Sequence, residues 1–271
     1  MHAPIELADI AADVLARIRE RAPRVHCITN SVAQQYTANM LLAAGAVPSM
    51  TISADEIGAF VGSANALLVN LGTFDRERKS AIEEAVKTAA EKKLPWLLDP
   101  VFVDRSPARA QFGRGLLALR PAVVRLNHAE FAALAWQGAG HDAELGAGLG
   151  ADLGAGPAAA MRFAQANATI IALTGNIDIV SDGHRRIAIA NGDPLMALVT
   201  AMGCAGAAFV CAALAVETDA WLATLTGLAA FGVAGELAAQ RAQGPGSFAV
   251  AMIDALHRLD RATLRARIKA S

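Results

Sequence analysis

Ala66-Leu67-Leu68-Val69-Asn70-Leu71-Gly72-Thr73 is the stretch that decides the fold. The apolar residues of 66–71 run without polar alternation until Asn70, and Gly72-Thr73 then turns the chain. A strand with one wet face alternates polar and apolar residues, whereas an unbroken apolar strand is buried on both faces, as in a parallel sheet covered by helices. The same form recurs at 95–98, closed by Asp99-Pro100, at 122–124, followed by Arg125, and at 169–173, closed by Thr174-Gly175. Between these runs the period changes. Over 75–93 the residues Ala81, Ile82, Ala85, Val86, Ala89 and Ala90 form one helical stripe, with Glu83, Glu84, Lys87 and Lys92 elsewhere. The expected fold class is α/β: a three-layer αβα sandwich on a mostly parallel central sheet.

Working outward, 7–21 reads as a helix and 25–29 as a strand leaving at Asn30. Ser31 is placed to cap a helix over 32–44 that stops at Gly45, and 47–52 is a second extended segment, carrying Met50. Toward the other end, 177–180 and 186–190 around Asp182-Gly183 suggest a hairpin. Apolar helices follow over 204–216 and 219–239; Gly244-Pro245-Gly246-Ser247 breaks the pattern before a last helix over 248–259. The Gly- and Ala-rich stretch 138–156 reads as a loop, so 1–271 is expected to form a single domain.

Composition narrows the function classes. With 54% hydrophobic and 18% charged residues, much of the chain must be buried, partly between subunits, so an oligomer is expected. A formal net charge of -1 excludes the global basic field that would hold nucleic acid or anionic lipid. The expected partners are small molecules, with no nucleic acid and no membrane: no apolar run is read as reaching the roughly 20 residues of a span. The N-terminus lacks a signal-peptide layout, which gives a cytoplasmic expectation. Cys27, Cys204 and Cys211 form neither an even disulfide set nor a metal-type cluster.

In open parallel sheets ligands lie beyond the carboxyl ends of the strands, so the polar residues closing each strand are the first candidates. They are Asn30, Asn70 with Thr73, Asp99, Arg125 with Asn127 and Glu130, and Thr174 with Gly175. Asp99 alone could be a cap or turn residue, and Asn127 with Glu130 has capping-box spacing. As a pair facing one cleft, Asp99 and Glu130 could instead organise Mg2+ through its waters. Arg125 offers a fixed positive charge for phosphate, and Thr174-Gly175 a hydroxyl and an amide; a surface arginine and a turn threonine are the plain alternatives. Val199-Thr200-Ala201-Met202-Gly203-Cys204 leads small residues into a long apolar helix, where free amides and the helix dipole favour an anion; a tight helix entry in the core is the alternative. Neither the dinucleotide-binding G-x-G-x-x-G after a strand nor the P-loop G-x-x-x-x-G-K-[ST] is present.

These residues form an ordered set. Val25-His26-Cys27-Ile28-Thr29-Asn30, Thr37-Ala38-Asn39, Gly45-Ala46-Val47-Pro48-Ser49-Met50 and Asn70-Leu71-Gly72-Thr73 come first. Leu98-Asp99-Pro100-Val101, Arg125-x-Asn127-x-x-Glu130, Leu173-Thr174-Gly175, Asp182-Gly183, Gly203-Cys204 and Gly244-Pro245-Gly246-Ser247-Phe248 follow. In that order they resemble the blocks of hydroxyethylthiazole kinases over residues 24–259. The resemblance implies a ribokinase-like fold, trimers with sites between subunits, and ATP- and Mg2+-dependent phosphorylation of the hydroxyl of 4-methyl-5-(2-hydroxyethyl)thiazole in thiamine biosynthesis or salvage. By position it implies that Met50, Ala201 and Asn30 bind substrate, that Arg125, Thr174 and Asn127 bind ATP, and that Asp99 and Glu130 hold the metal. Gly203 and Cys204 would be catalytic, Cys204 standing where most ribokinase-like enzymes have an aspartate base. A thiol with an ordinary pKa of about 8.5 is a weak candidate for that base, and a loose phosphoryl transition state asks little of one, so Cys204 is assigned to positioning first.

Two departures bear on the substrate. The family's T-G-T-G-C reads Thr200-Ala201-Met202-Gly203-Cys204 here, and its small run after Asp99-Pro100-Val101 is replaced by Phe102-Val103-Asp104-Arg105-Ser106. If position 201 needs a positive φ, alanine there costs on the order of 1 kcal/mol. The alternatives are a kinase of another small heterocyclic alcohol, or a non-catalytic homologue that binds the thiazole.

Overall fold

A computed structural model describes residues 4–135 and 156–271. Of the expected loop 138–156, only Gly156 lies within the described residues, as the residue before a helix.

The strands are β1 Arg24–Ile28, β2 Val47–Ser49, β3 Ala66–Asn70, β4 Trp96–Asp99, β5 Val123–Asn127, β6 Ile170–Thr174, β7 Asp178–Ser181 and β8 Arg186–Ile189. They form one eight-stranded sheet in the order β2-β1-β3-β4-β5-β6-β7-β8. Pairing is parallel from β2 through β6, and β7 and β8 are antiparallel additions, the expected hairpin. Each parallel strand sends alternate side chains to opposite faces. Val25, Cys27, Leu68, Leu97 and Val123 join one core; Leu67, Val69, Leu98, Val124 and Leu173 join the other.

Helices cover both faces, which is why these strands carry no polar alternation. On the first face lie α1 Pro4–Arg21 and α2 Gln34–Ala44, contributing Leu7, Ile18, Met40 and Leu41 to the core. On the second lie α3 Ile57–Gly62, α4 Arg76–Lys92, α5 Pro107–Leu117, α6 His128–Ala135 and α7 Pro157–Asn167. A 3-10 turn, Pro194–Leu198, precedes α8 Met202–Leu214. The chain then runs through α9 Ala220–Ala239, α10 Pro245–Arg258 and α11 Arg261–Arg267 back on the first face.

Several expectations need correction. Ser31 does not cap α2: the position before that helix is Ala33 with no side-chain cap, and the Ser31 amide is instead held by Thr73 Oγ1 at 3.2 Å. β5 runs beyond 124 because its ladder with β6 continues through Arg125↔Ala172 to Asn127↔Thr174. The 244–247 break is narrower than expected: Pro245 takes the first turn of α10, where its missing N–H costs nothing. An apolar helix of span length does occur, since α9 has 20 residues. Its neighbours explain it: most of the helix is buried inside the protein, so its apolar residues belong to the core.

Candidate active site

Because the sheet is parallel from β2 through β6, those strands end on one rim. Strand order reverses at β1, which has β2 on one side and β3 on the other. That reversal opens a crevice between β1 and β3. Asn30, just past β1, and Asn70, the last residue of β3, face each other across it, with Asn30 Nδ2 3.3 Å from Asn70 Oδ1.

α8 starts in the same crevice. The Cys204 sulfur accepts from Asn30 Nδ2 at 3.2 Å and from Asn70 Nδ2 at 3.3 Å. Asn70 Nδ2 also donates to Asp99 Oδ2 at 2.6 Å, and Asn70 Oδ1 accepts from the Gly72 amide at 2.9 Å. Asn30, Cys204, Asn70 and Asp99 are thus one buried network, with exposures of 7%, 9%, 0% and 3%. Asn70 is its hub and was legible only as a strand-end residue. Of its four partners only Gly72 is local; Asn30 lies past β1, Asp99 in β4 and Cys204 in α8, and no local spacing encodes those three.

The entry to α8 is strained. Ala201 immediately precedes the helix at φ 72, left-handed, with no side-chain cap. The positive φ considered from the sequence is therefore present, and a β-carbon there costs about 1 kcal/mol that glycine would not. In the first turn, Met202 donates to Val199 O and Ala205 to Ala201 O, while the Gly203 and Cys204 amides have no acceptor among the described residues. Met202 belongs to the first core at 4% exposure, while Gly203 is exposed. Arg125 Nη1 lies 3.6 Å from where a β-carbon on Gly203 would sit, so the guanidinium stands beside the helix entry.

Glu130 lies next to Asp99. Its Oε2 accepts from the Asn127 amide and Asn127 Oδ1 accepts from the Glu130 amide, both at 2.9 Å, so the capping box forms. Glu130 Oε1 also accepts from the Phe102 amide at 3.2 Å. Phe102 is held at φ 62, so both departures in the sequence carry left-handed non-glycine residues. Burial, then the neighbouring Asp99, push Glu130 up to about 7. Burial raises Asp99 as well, with Arg125 and the Asn70 amide pulling the other way. Burial, then Asp99, raise Cys204 to about 11, so the thiol keeps its proton at neutral pH.

The raised Glu130 has a consequence for stability. The metal-free folded protein holds a proton that an unfolded glutamate, with an ordinary value of 4.5, releases. Glu130's contribution is therefore fully present below about 4.5 and lost as pH rises through about 7. Denaturant unfolding of metal-free protein at pH 5 and pH 8 is expected to show that loss, and Glu130→Gln to reduce it.

Thr174 and Met50 do not join this network among the described residues. Thr174 Oγ1 donates to Leu126 O at 3.3 Å, and Met50 stands half-buried just past β2 against the first core. Asp178, absent from the sequence candidates, accepts from the Gly175 amide at 3.0 Å. Burial raises its carboxyl, opposed by that amide and by Arg125, so Arg125 faces three carboxylates: Asp99, Glu130 and Asp178. The signal that could have found it is the turn spacing Gly175-x-x-Asp178. A hollow of about 320 Å³ lined by Phe74, Arg76 and Lys79 opens at the start of α4 and holds none of these residues.

Buried atoms without a partner among the described residues include Asn30 Oδ1, Thr29 Oγ1 and Arg125 Nε, as expected of a crevice built for a polar ligand. No group of three or more His, Cys, Asp or Glu side chains could hold a metal among the described residues. The donor set of two buried carboxylates beside an arginine suits a hard cation that keeps its waters and phosphate oxygens as its other ligands.

The family model of the hydroxyethylthiazole kinases matches residues 15–262. The chain belongs to the hydroxyethylthiazole kinase family. A hydroxyethylthiazole kinase of Cereibacter sphaeroides is 45% identical over 248 residues, 90% of this chain and 92% of that protein. The structure of a hydroxyethylthiazole kinase protein from Pyrococcus horikoshii superimposes with a TM-score of 0.87 at 35% identity, covering 97% of this chain and 98% of the other. A ribokinase-like superfamily protein of Enterococcus faecalis, at 14% identity and TM-score 0.64 over 94% of this chain and 95% of its own, shares the fold. The expected ribokinase-like αβα architecture is therefore present. Family members are kinases, phosphotransferases with an alcohol as acceptor, and the reaction implies ATP with a divalent metal.

Proposed function

We propose that this chain transfers the terminal phosphoryl group of ATP to the hydroxyl of 4-methyl-5-(2-hydroxyethyl)thiazole, with Mg2+ as the metal, as a single-domain homotrimer in the cytoplasm. The observation that carries the reading is the uncapped start of α8 in the β1/β3 crevice, with Arg125 beside Gly203 and the Cys204 network behind it.

The chemistry follows from charge. Phosphoryl transfer spreads negative charge over the moving group, so catalysis is mostly positioning and electrostatic stabilisation. The Gly203 and Cys204 amides and the α8 dipole face that charge. Arg125 holds phosphate oxygens, with Thr174 and Asn127 on the nucleotide side. Asp99 and Glu130 would hold Mg2+, which would supply neutralisation of phosphate charge there. Met50, Asn30 and Ala201 line the alcohol's side.

Cys204 serves as a positioning group. Its sulfur takes two amide donors and its thiol stays protonated at neutral pH, a poor state for a base. Cys204→Ala is expected to lose about tenfold in kcat with little change in either KM. Steady-state kinetics checks this, and a ten-thousandfold loss would overturn it.

ADP release from Mg2+-ATP, coupled to a spectroscopic readout, tests the whole reading; no thiazole-dependent release at millimolar substrate counts against it. The left-handed Ala201 and Phe102 favour one second reading, a kinase of a related heterocyclic alcohol, which a panel of alcohols in the same assay separates. Thiazole binding by calorimetry without turnover would point instead to a non-catalytic binder.

A further inference from the structure

The mechanism above makes no use of His26, which lies in β1 with no exposed surface. Its ring makes two bonds, Nδ1 to Ser49 Oγ at 2.8 Å and Nε2 to Thr51 O at 3.0 Å. Those partners flank Met50 on either side. We propose that His26 is a positioning residue for the acceptor alcohol, fixing the Ser49–Thr51 segment so that Met50 presents a defined surface to it; this rests on the reading of Met50 given above.

The chemistry fixes the tautomer. A carbonyl oxygen only accepts, so Nε2 must carry the hydrogen given to Thr51 O. In the neutral ring Nδ1 is then bare and accepts from the Ser49 hydroxyl. Burial lowers the imidazole's pKa, which favours that neutral form.

The topology explains why such a staple is needed. Among the described residues β2 is an edge strand of three residues paired only with β1, and its last rung is His26↔Ser49. Past Ser49 the ladder stops, so no strand among the described residues holds Met50 or Thr51. The His26 side chain bonds Thr51 O where the ladder has ended. Thr51 Oγ1 then donates to Glu56 Oε1 at 2.7 Å and accepts from the Ser53 amide at 3.3 Å, carrying the constraint toward α3. From α3, Phe60 packs its ring 5.9 Å from the imidazole. Met50 thus sits at the middle of a short span pinned at both ends by one side chain.

A histidine kept only for core integrity would affect stability and both substrates alike. A positioning role predicts a split, tested with His26→Ala, Ser49→Ala, Met50→Ala and the two doubles that include Met50→Ala. In His26→Ala the KM for the thiazole alcohol is expected to rise about tenfold, with kcat and the KM for ATP within about threefold of wild type. Ser49→Ala removes one bond and is expected to raise the same KM about threefold. In the Met50→Ala background either change should add less than about twofold, since two residues acting through one contact are not additive. An unchanged alcohol KM, an equal rise in the KM for ATP, or full additivity with Met50→Ala overturns the proposal.

Should His26→Ala fail to give a cooperative thermal transition, the Ser49→Ala pair decides on the same pattern at its smaller scale. If the wild-type chain shows no thiazole-dependent ADP release, the kinase reading fails separately. Calorimetric Kd for 4-methyl-5-(2-hydroxyethyl)thiazole then replaces KM, with the same split and non-additivity expected, and an unchanged Kd or full additivity again overturning the role of His26.

Discussion

Arg125→Ala is expected to raise the KM for ATP by about two orders of magnitude and to leave the KM for the thiazole alcohol within about threefold of wild type. Arg125 emerges from β5 between the start of α8, where its Nη1 approaches Gly203, and the carboxylates of Asp99, Glu130 and Asp178. Its Nε is buried without a partner among the described residues, so the fork of donors is not committed to them. Removing it deletes the fixed cation facing the phosphates and leaves three carboxylates beside a site meant for an anion. Arg125→Lys keeps the charge but not the planar fork, and should recover about tenfold of the loss. Steady-state kinetics with each substrate varied in turn measures both variants; a rise of less than threefold in the KM for ATP of Arg125→Ala would remove Arg125 from the phosphate site.

Gly72→Ala, which touches no substrate, is expected to lower kcat/KM by about a hundredfold. A β-carbon at Gly72 would lie 2.7 Å from Asn30 Nδ2, 2.8 Å from Asn30 Cβ and 2.9 Å from Asn70 Oδ1. These atoms belong to short side chains already engaged with Cys204 and Asp99, so they cannot swing aside without breaking the network. Overpacking of this kind costs about 1–3 kcal/mol, which thermal or denaturant unfolding would register as a partial loss. Gly115→Ala is the control: it lies in α5 with nothing within 4 Å of its added carbon, and activity there should be unchanged. Equal activities for the two variants would show that the crevice tolerates displacement of both asparagines.

The layered architecture was legible because burial on both faces writes itself into β3 and β4 as unbroken apolar runs. The rim was legible for the same reason: a polar residue ending such a run, as Asn70 and Asp99 do, has to face something other than core. Less was legible where partners come from distant positions. Asn70 contacts Cys204 134 residues away, and nothing in either neighbourhood names the other. Short helices fared worst. α3 has six residues and α11 seven, too short for a period to show. α5 follows the bulky segment 102–106, but Ser106 capping it and Pro107 in its first turn are ordinary start signals. Asn127 and Glu130 show two readings holding at once: the capping box forms, and the same carboxylate lies beside Asp99 with its proton held unusually tightly.

The brevity of β2 bears on how copies of this chain can meet. A sheet margin recruits a neighbour's backbone only if it offers a row of main-chain donors and acceptors, and here the outer strand is Val47-Pro48-Ser49, whose proline has no N–H to give. So short a margin, lacking that donor, is a poor template for a strand from another molecule. Side chains and helix surfaces are the better-suited means of contact at this end of the molecule, and point substitutions there can alter contact without disturbing the sheet.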